Sequence, residues 1–184
     1  MTGLAVVALL ISTQTLGQTG PARTRSTVVQ GNLNLAARER VVLRLNAQGL
    51  PVIVSATAVG PGAALPPGEG RRLAPGGGLN SAEPGTIVMT LGGVRETGSI
   101  LKIENGLDRA IRYDAGMAYV LQGQVRTEMT NVCSVVPGIV GFEHWDLPII
   151  QIIAVNLRQT DDTSPVCATP IPPAPTQPAP APTV

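Results

Sequence analysis

One short segment of the chain concentrates the residue types that carry out chemistry. Residues 130–149, TNVCSVVPGIVGFEHWDLPI, contain one of the two cysteines and the only histidine, tryptophan and phenylalanine of the 184-residue chain. Within this segment Glu143, His144, Trp145 and Asp146 follow one another. Imidazole and carboxylate groups are ligands for zinc and copper, and histidine is also the most common general base. The segment is therefore the first place to look for a metal or catalytic site.

Two features of this segment argue against a metal site. Neighbouring residues on an extended chain point to opposite faces, so Glu143 and His144 can converge on one ion only if the backbone turns between them. A zinc site usually needs three or four N, S or O ligands, and the additional ones would have to come from Cys133 or from methionines. The methionines considered are Met89, Met117 and Met129. We predict a structural or exposed histidine, no metal and no cofactor. The candidate ligand or interaction residues are Glu143, His144, Trp145 and Asp146.

The two cysteines, Cys133 and Cys167, predict a structural disulfide. An even number of cysteines in an exported chain favours pairing, and their spacing is unlike the C-x-x-C pattern of redox proteins. The chain-entropy model assigns such a bridge roughly 4 kcal/mol. The order Cys133, Trp145, Cys167 is similar to that of immunoglobulin domains. Too few residues separate the last two for the strands of that topology, so no family is assigned. We expect Trp145 to pack near the bridge.

Motifs of known enzyme classes do not occur in the sequence. We find no G-x-S-x-G, H-E-x-x-H or G-x-x-x-x-G-K-[ST] pattern, and a serine triad would have to use His144 as its base. Two carboxylates suffice for some glycosidases, but one Trp, two Tyr and one Phe offer little surface for stacking sugars. The acidic pair Asp161 and Asp162 lies in the polar run TDDTS. We predict that the protein is not an enzyme.

The elements that must position these residues have the pattern of β-strands. Apolar and polar residues alternate, or β-branched residues cluster, between turns rich in Gly and Pro. The predicted strands are 26–35, 40–47, 51–59, 86–91, 124–129 and 149–157. Amphipathic helical periodicity does not occur over three turns with a cap before it. We predict an all-β fold, an antiparallel β-sandwich that is immunoglobulin-like in the broad sense, with about 7–9 strands and no substantial helix.

Residues 99–116, SILKIENGLDRAIRYDAG, predict a β-hairpin. The Asn-Gly pair at its centre favours a two-residue type I′ turn, but that register does not place the apolar residues of the two strands opposite each other. A three-residue loop after Asn105 instead pairs Ile103 with Ile111, and a one-residue slip would turn one strand's apolar side chains to water. We therefore expect the longer loop.

The two ends of the chain differ from its middle. Residues 1–17 contain the apolar run GLAVVALLI followed by small residues, as in a signal peptide, although no Lys or Arg precedes the run. The run is shorter than the about 20 residues that cross a bilayer. Residues 18–25 form a short linker, and 26–168 form a single domain with a Gly/Pro-rich loop at 60–85. Residues 169–184 form a Pro-rich tail that cannot join a sheet ladder.

Charge and composition limit the kinds of partner that we expect the protein to bind. The formal net charge is +1 and basic residues do not cluster, whereas nucleic-acid binding requires a strongly basic surface. Arg71 and Arg72 in the Gly/Pro-rich loop could meet an anionic partner. We predict a periplasmic or secreted, non-catalytic module of a bacterial-type cell envelope with a structural or protein-interaction role and an envelope protein as partner. The alternatives are a periplasmic copper- or zinc-binding protein using His144, and an unrecognised hydrolase.

Overall fold

Strands account for all the regular structure in the part of the chain that can be described. A computed structural model describes residues 24–60, 63–64, 80–94, 98–130 and 132–163. The strands are β1 (Thr27–Val29), β2 (Asn32–Ala36), β3 (Glu39–Leu45), β4 (Pro51–Ala58), β5 (Ile87–Val94), β6 (Gly98–Asn105), β7 (Ala110–Leu121), β8 (Gln124–Thr130), β9 (Val140–Trp145) and β10 (Ile149–Thr160). Within these ranges no helix is present, so none could cross a membrane.

The strands form two antiparallel sheets, which confirms the predicted all-β sandwich. Sheet A has the order β1-β2-β10-β7-β8, and sheet B has the order β4-β3-β5-β6-β9. Among the described residues each sheet has five strands, which makes ten rather than the predicted 7–9. Apolar side chains from the inner faces of both sheets form the core, as expected for sheets that pack face to face. The largest fully buried apolar side chains are Leu33, Leu35, Leu43, Ile87, Met89, Leu91, Leu101, Ile103, Ile111, Tyr113 and Ile152.

One additional strand arises because the predicted strand 26–35 is a hairpin. Gln30 and Gly31, with φ of 51° and 77°, form a two-residue turn between β1 and β2. Gln122 and Gly123, with φ of 52° and 76°, form the same kind of turn between β7 and β8. Positive φ at both central residues is the type I′ geometry, which matches the twist of the strands it joins. Glutamine is not one of the usual residues at the first position, so the turn signal in the sequence was weak.

The predicted hairpin over 99–116 is wrong. Ile103 pairs with Met89 of β5 and Gly141 of β9, both in sheet B. Ile111 pairs with Gln159 of β10, in sheet A. The apolar residues do face the core as the alternation indicates, but they face it from opposite sheets. Alternation specifies which face of a strand is buried and does not specify the neighbouring strand.

Asn105 turns the chain from sheet B to sheet A. Its Nδ2 donates to the carbonyl oxygens of Arg109 at 2.9 Å and Val135 at 2.8 Å. Its Oδ1 accepts a hydrogen bond of 2.9 Å from the backbone N–H of Leu107. The side chain is fully buried, so these bonds replace the hydration that the amide loses. The Asn-Gly pair therefore forms a buried corner between sheets instead of a surface hairpin turn.

The described end of the Gly/Pro-rich loop packs on the same corner. Asn80 donates to the backbone oxygen of Asn105 at 2.7 Å, and the backbone N–H of Gly85 donates to Gly106 at 2.8 Å. Residues 80–85 are thus held against sheet B. Other parts of the predicted organisation lie outside the described residues, namely 1–17, 18–23, the pair Arg71 and Arg72, Cys167 and the tail 169–184.

Replacing Asn105 by Ala tests the importance of this corner. The change leaves one buried N–H and two buried carbonyl groups without the amide partner, so we expect a loss of about 3 kcal/mol in the free energy of unfolding. Urea denaturation of the purified protein measures this loss. Asn46→Ala is the matched control, because Asn46 accepts two backbone hydrogen bonds in an exposed turn. We expect that variant to lose about 1 kcal/mol or less. Equal losses would contradict the role assigned to burial at Asn105.

Candidate functional site

Strand β9, at the edge of sheet B, contains Glu143, His144 and Trp145, and Asp146 follows its last residue. Glu143 lies opposite Leu101 of β6, and His144 lies opposite Ile100. Because Leu101 is fully buried in the core, Glu143 and Trp145 point to the interior and His144 points outward. The backbone is extended from Glu143 to Trp145 and bends at Asp146, so Glu143 and His144 point to opposite faces. The structure therefore brings Glu143 and Trp145 to one face and separates them from His144.

His144 lies on the surface beside Asp146, on the face of β9 opposite to Glu143. Its Nε2 is 3.7 Å from Oδ1 of Asp146, and the two side chains are 52% and 94% exposed. Met89 and Met117 are buried in the core, whereas Met129 is exposed on the outer face of sheet A. Within the described ranges, no group of three or more His, Cys, Asp or Glu side chains is placed to hold a metal ion.

Trp145 connects the two sheets at their edges. Its ring packs against the core, and its Nε1 donates a hydrogen bond of 2.8 Å to Oγ1 of Thr130 at the end of β8. Strand β8 is the edge of sheet A, and β9 is the edge of sheet B. Val132 and Val135, in the connection between these strands, are buried beside them. This side of the sandwich is closed by packing, and Trp145 has a structural role there.

Glu143 is an inward-facing carboxylate with one identified hydrogen bond. The backbone N–H of Cys133 donates to its Oε1 at 3.1 Å. Burial raises the pKa of Glu143 above its usual value of 4.5, and the hydrogen bond from Cys133 offsets only part of this effect. Burial, and then the charge of Glu143, raise the pKa of Tyr113 well above its usual range. The Tyr113 hydroxyl is buried without a hydrogen-bond partner among the described residues.

The cysteine prediction can be followed only in part. Cys133 does not have a free thiol. Its predicted partner, Cys167, lies outside the described residues, so the pairing stays a prediction. The backbone of Cys133 is fixed to β9 through Glu143. A disulfide at Cys133 would therefore be linked to β9 through this hydrogen bond to Glu143, on the inner face of the strand.

Two other buried carboxylates, which sequence reasoning missed, fasten chain segments to sheet B. Glu104 accepts hydrogen bonds of 2.7 Å from the N–H and Oγ of Ser81, and its Oε2 is 3.2 Å from Nζ of Lys102. Glu39 accepts hydrogen bonds from the N–H groups of Arg25 and Ser26. Burial alone would raise the pKa of each glutamate, but the hydrogen bonds and the nearby cation outweigh it and lower the pKa. The burial of Glu39 could have been predicted from the sequence, because Glu39 is two residues before Val41 and therefore lies on the same, inner face of β3.

A groove at one end of the sandwich contains no acid–base pair among its described lining residues. It has a volume of about 460 Å³ and lies between the turn after β3 and the second half of β10. The residues lining it are Leu45, Gln48, Gly49, Leu50, Asn156, Leu157, Arg158 and Gln159. Arg158 is the charged residue of this set. A proton transfer would require a second titratable group beside it.

The edges of the two sheets differ in how they are protected from further pairing. Unpaired edge strands are usually short, or carry charges or inward-pointing charged residues. Strand β1 has three residues, β8 carries Arg126 and Glu128, and β9 carries the inward-facing Glu143. Strand β4, PVIVSATA, has eight residues and no charge. Its Val52 and Val54 are 47% and 54% exposed. Its protection is limited to Pro51 at its start and a register shift of the β-bulge kind, which leaves Val54 without a partner on β3.

Ionisation of the partly buried Glu143 side chain should destabilise the folded protein. Glu143→Gln should remove this effect, because glutamine stays neutral. The unfolded chain loses this proton near pH 4.5, whereas the folded protein holds it to higher pH. The wild type should therefore lose stability relative to Glu143→Gln as the pH rises from 4.5 through the raised pKa, and lose no more above it. Urea denaturation at a series of pH values measures this difference.

Glu104→Gln is the control with the opposite sign. Its lowered pKa gives the wild type an advantage above pH 4.5 that is lost as the pH falls through the lowered value. The same sign for both variants would contradict the assignment of the two environments.

Comparison with known proteins identifies no relative of this chain. No family model matches it, and neither a curated protein nor a solved structure is similar to it.

Proposed function

We propose that the protein is an exported, non-catalytic β-sandwich module of the cell envelope, periplasmic or secreted, that binds a protein partner. The observation that carries this proposal is β4, an edge strand of eight uncharged residues with two exposed valines. The N–H and C=O groups along such an edge are ready to pair with an extended chain. Peptide recognition by strand addition uses these groups for affinity and the alternate side chains for specificity.

The contrast with the other edges supports an interaction at β4. A long, uncharged edge is a risk for aggregation, and the chain limits this risk at β1, β8 and β9. Retaining such an edge at β4 is consistent with its having a specific partner. The proposal places this partner at the edge of sheet B, beside the valines of β4.

The positions of the polar groups support a role without catalysis. Glu39, Glu104 and Glu143 each accept hydrogen bonds from the backbone of another segment. Trp145 bonds to the opposite sheet. Metal binding through His144, or hydrolysis with it as base, would require partners that converge on it from β9 or its neighbours. The extended strand directs Glu143 to the other face.

A disulfide between Cys133 and Cys167 is part of this proposal and has its own test. The exported protein should have lost its first ~17–22 residues and have a mass lower than its reduced form by two hydrogen atoms. Cys133→Ser should lower the free energy of unfolding by roughly 4 kcal/mol, measured by urea denaturation. Mass spectrometry that finds the N-terminal segment retained, or two free thiols after oxidising export, would contradict this part.

Site-specific crosslinking in cells tests the interaction at β4. A photoreactive amino acid at position 54 should form an adduct of one defined mass in the envelope fraction, because Val54 lies on the proposed contact edge. Val125, on β8, is the control position because its side chain is 66% exposed on the other sheet. Val52→Glu should abolish the adduct formed from position 54 by placing a charge on the edge. Exported, folded protein that gives no adduct at 54, or equal adducts at 54 and 125, would contradict the proposal.

A further inference from the structure

Two arginines lie on the outer face of sheet B directly beside β4. Val41 and Leu43 of β3 are fully buried in the core, so Arg40 and Arg44, which alternate with them, point outward. Arg40 lies opposite Thr57 of β4, and Arg44 lies opposite Val52. The two charges are therefore on the face of sheet B that a strand added at β4 would extend.

Neither arginine is neutralised in the part of the chain that the structure describes. The ion pairs there involve other cations, namely Arg25, Lys102, Arg109, Arg112 and His144. Glu39 lies on the same strand as the two arginines, but its side chain is buried on the inner face. The outer surface beside β4 is therefore positively charged, although the chain as a whole is close to neutral.

The distance between Arg40 and Arg44 sets how far apart the negative charges on an added strand would need to be. Arg40 and Arg44 are four residues apart on a strand, which corresponds to about 13–14 Å. An added strand would lie about 5 Å beyond β4 and about 10 Å from β3. The β4 residues Val52 and Thr57, which lie between, have short side chains. The long arginine side chains can extend over them toward carboxylates that lean back from the new strand.

We propose that β4 accepts an extended acidic segment of a partner protein, with Asp or Glu residues four positions apart on one face. This inference depends on the proposed function, because it assumes that β4 is an interaction edge, and it adds the chemistry of the partner. The main-chain hydrogen bonds supply the pairing, and Arg40 and Arg44 select the acidic sequence. Strand β4 separates β3 from the added strand, so the attraction acts through the long arginine side chains, and salt screens it.

The same charges argue against a second copy of this chain as the occupant. Pairing β4 with β4 of another molecule would place two pairs of arginines on one continuous sheet face. The β4 sequence PVIVSATA offers no carboxylate to either pair. A segment from another protein that supplies the missing negative charge is therefore favoured.

Synthetic peptides test the acidic preference directly. The probe is a capped, fluorescent nine-residue peptide of alternating Val and Thr in which two Thr residues four positions apart are replaced by Glu. Its control has Gln at both positions. Fluorescence anisotropy at low salt should show at least about tenfold tighter binding of the Glu peptide. In Arg40→Gln/Arg44→Gln, and at about 1 M salt where charges are screened, the two peptides should bind alike.

N-methylated peptides separate strand addition from a simple attraction between charges. An added strand directs every second N–H to β4, so methylation of one alternating set of amides should abolish binding while methylation of the other set should preserve it. Val52→Glu should weaken the Glu peptide at least about tenfold, because it places a like charge beside the carboxylates of the peptide, and Val125→Glu, far from this edge, should leave it unchanged. Equal effects of the two methylation patterns would overturn strand addition as the binding mode.

The outcomes distinguish this inference from the proposed function. Equal affinity of the Glu and Gln peptides would overturn the acidic preference while strand addition at β4, and with it the proposed function, would stand. Failure of every peptide to bind, together with no adduct from position 54, would overturn both. A homodimer that crosslinks through position 54 and disperses in Val52→Lys would identify a second copy as the occupant and overturn the acidic partner.

Discussion

The path of the chain between the two sheets depends on buried polar side chains at the two ends of β6. Asn105, at the end of β6, bonds to the corner that leads into β7 and to Val135 in the connection that precedes β9. Ser99, near its start, donates to the backbone oxygen of Leu147 and accepts from the N–H of Ile149, where the chain returns to sheet A. Both side chains are buried. Since a buried polar group without a partner costs about 1–3 kcal/mol, these residues restrict the routes that the chain can take. An apolar residue at either position would fill the space but leave backbone groups unpaired.

The position of β9, and with it the environment of the candidate residues, follows from this constraint. Val135 is held at the corner by Asn105 and forms a bridge with Ile111. The segment before β9 is thereby fixed across the open side of the sandwich, and β9 can pair along β6. Glu143 then faces the interior, where burial raises its pKa. Its carboxylate holds the backbone of Cys133. Ionisation of this carboxylate is unfavourable because the side chain is partly buried.

The sequence predicts the layers of this fold better than its connections. The alternation around Val41 and Leu43 locates β3 and its buried face, because side chains on a strand alternate between core and water. The β-branched residues of β4 and β10 locate those strands in the same way. Local patterns do not specify that the Asn-Gly pair makes a corner between sheets, since that depends on Val135, thirty positions away. The rare residues around His144 suggested a site because they are close together in the sequence. On an extended strand, however, neighbouring side chains point to opposite faces.

The sequence of β4 does not show that this strand lies at the edge of a sheet. The residues PVIVSATA suit a central strand as well as an edge, because the absence of charge is harmless where both neighbours are present. Only the sheet order shows that β3 is the neighbour on one side and that no described strand is hydrogen-bonded on the other, where β1 of sheet A contacts β4. The same order places Arg40 and Arg44 beside that edge instead of in the middle of a covered face. At the edge of sheet B, next to two arginines without an ion pair among the described residues, this strand is therefore the surface that we propose for a partner.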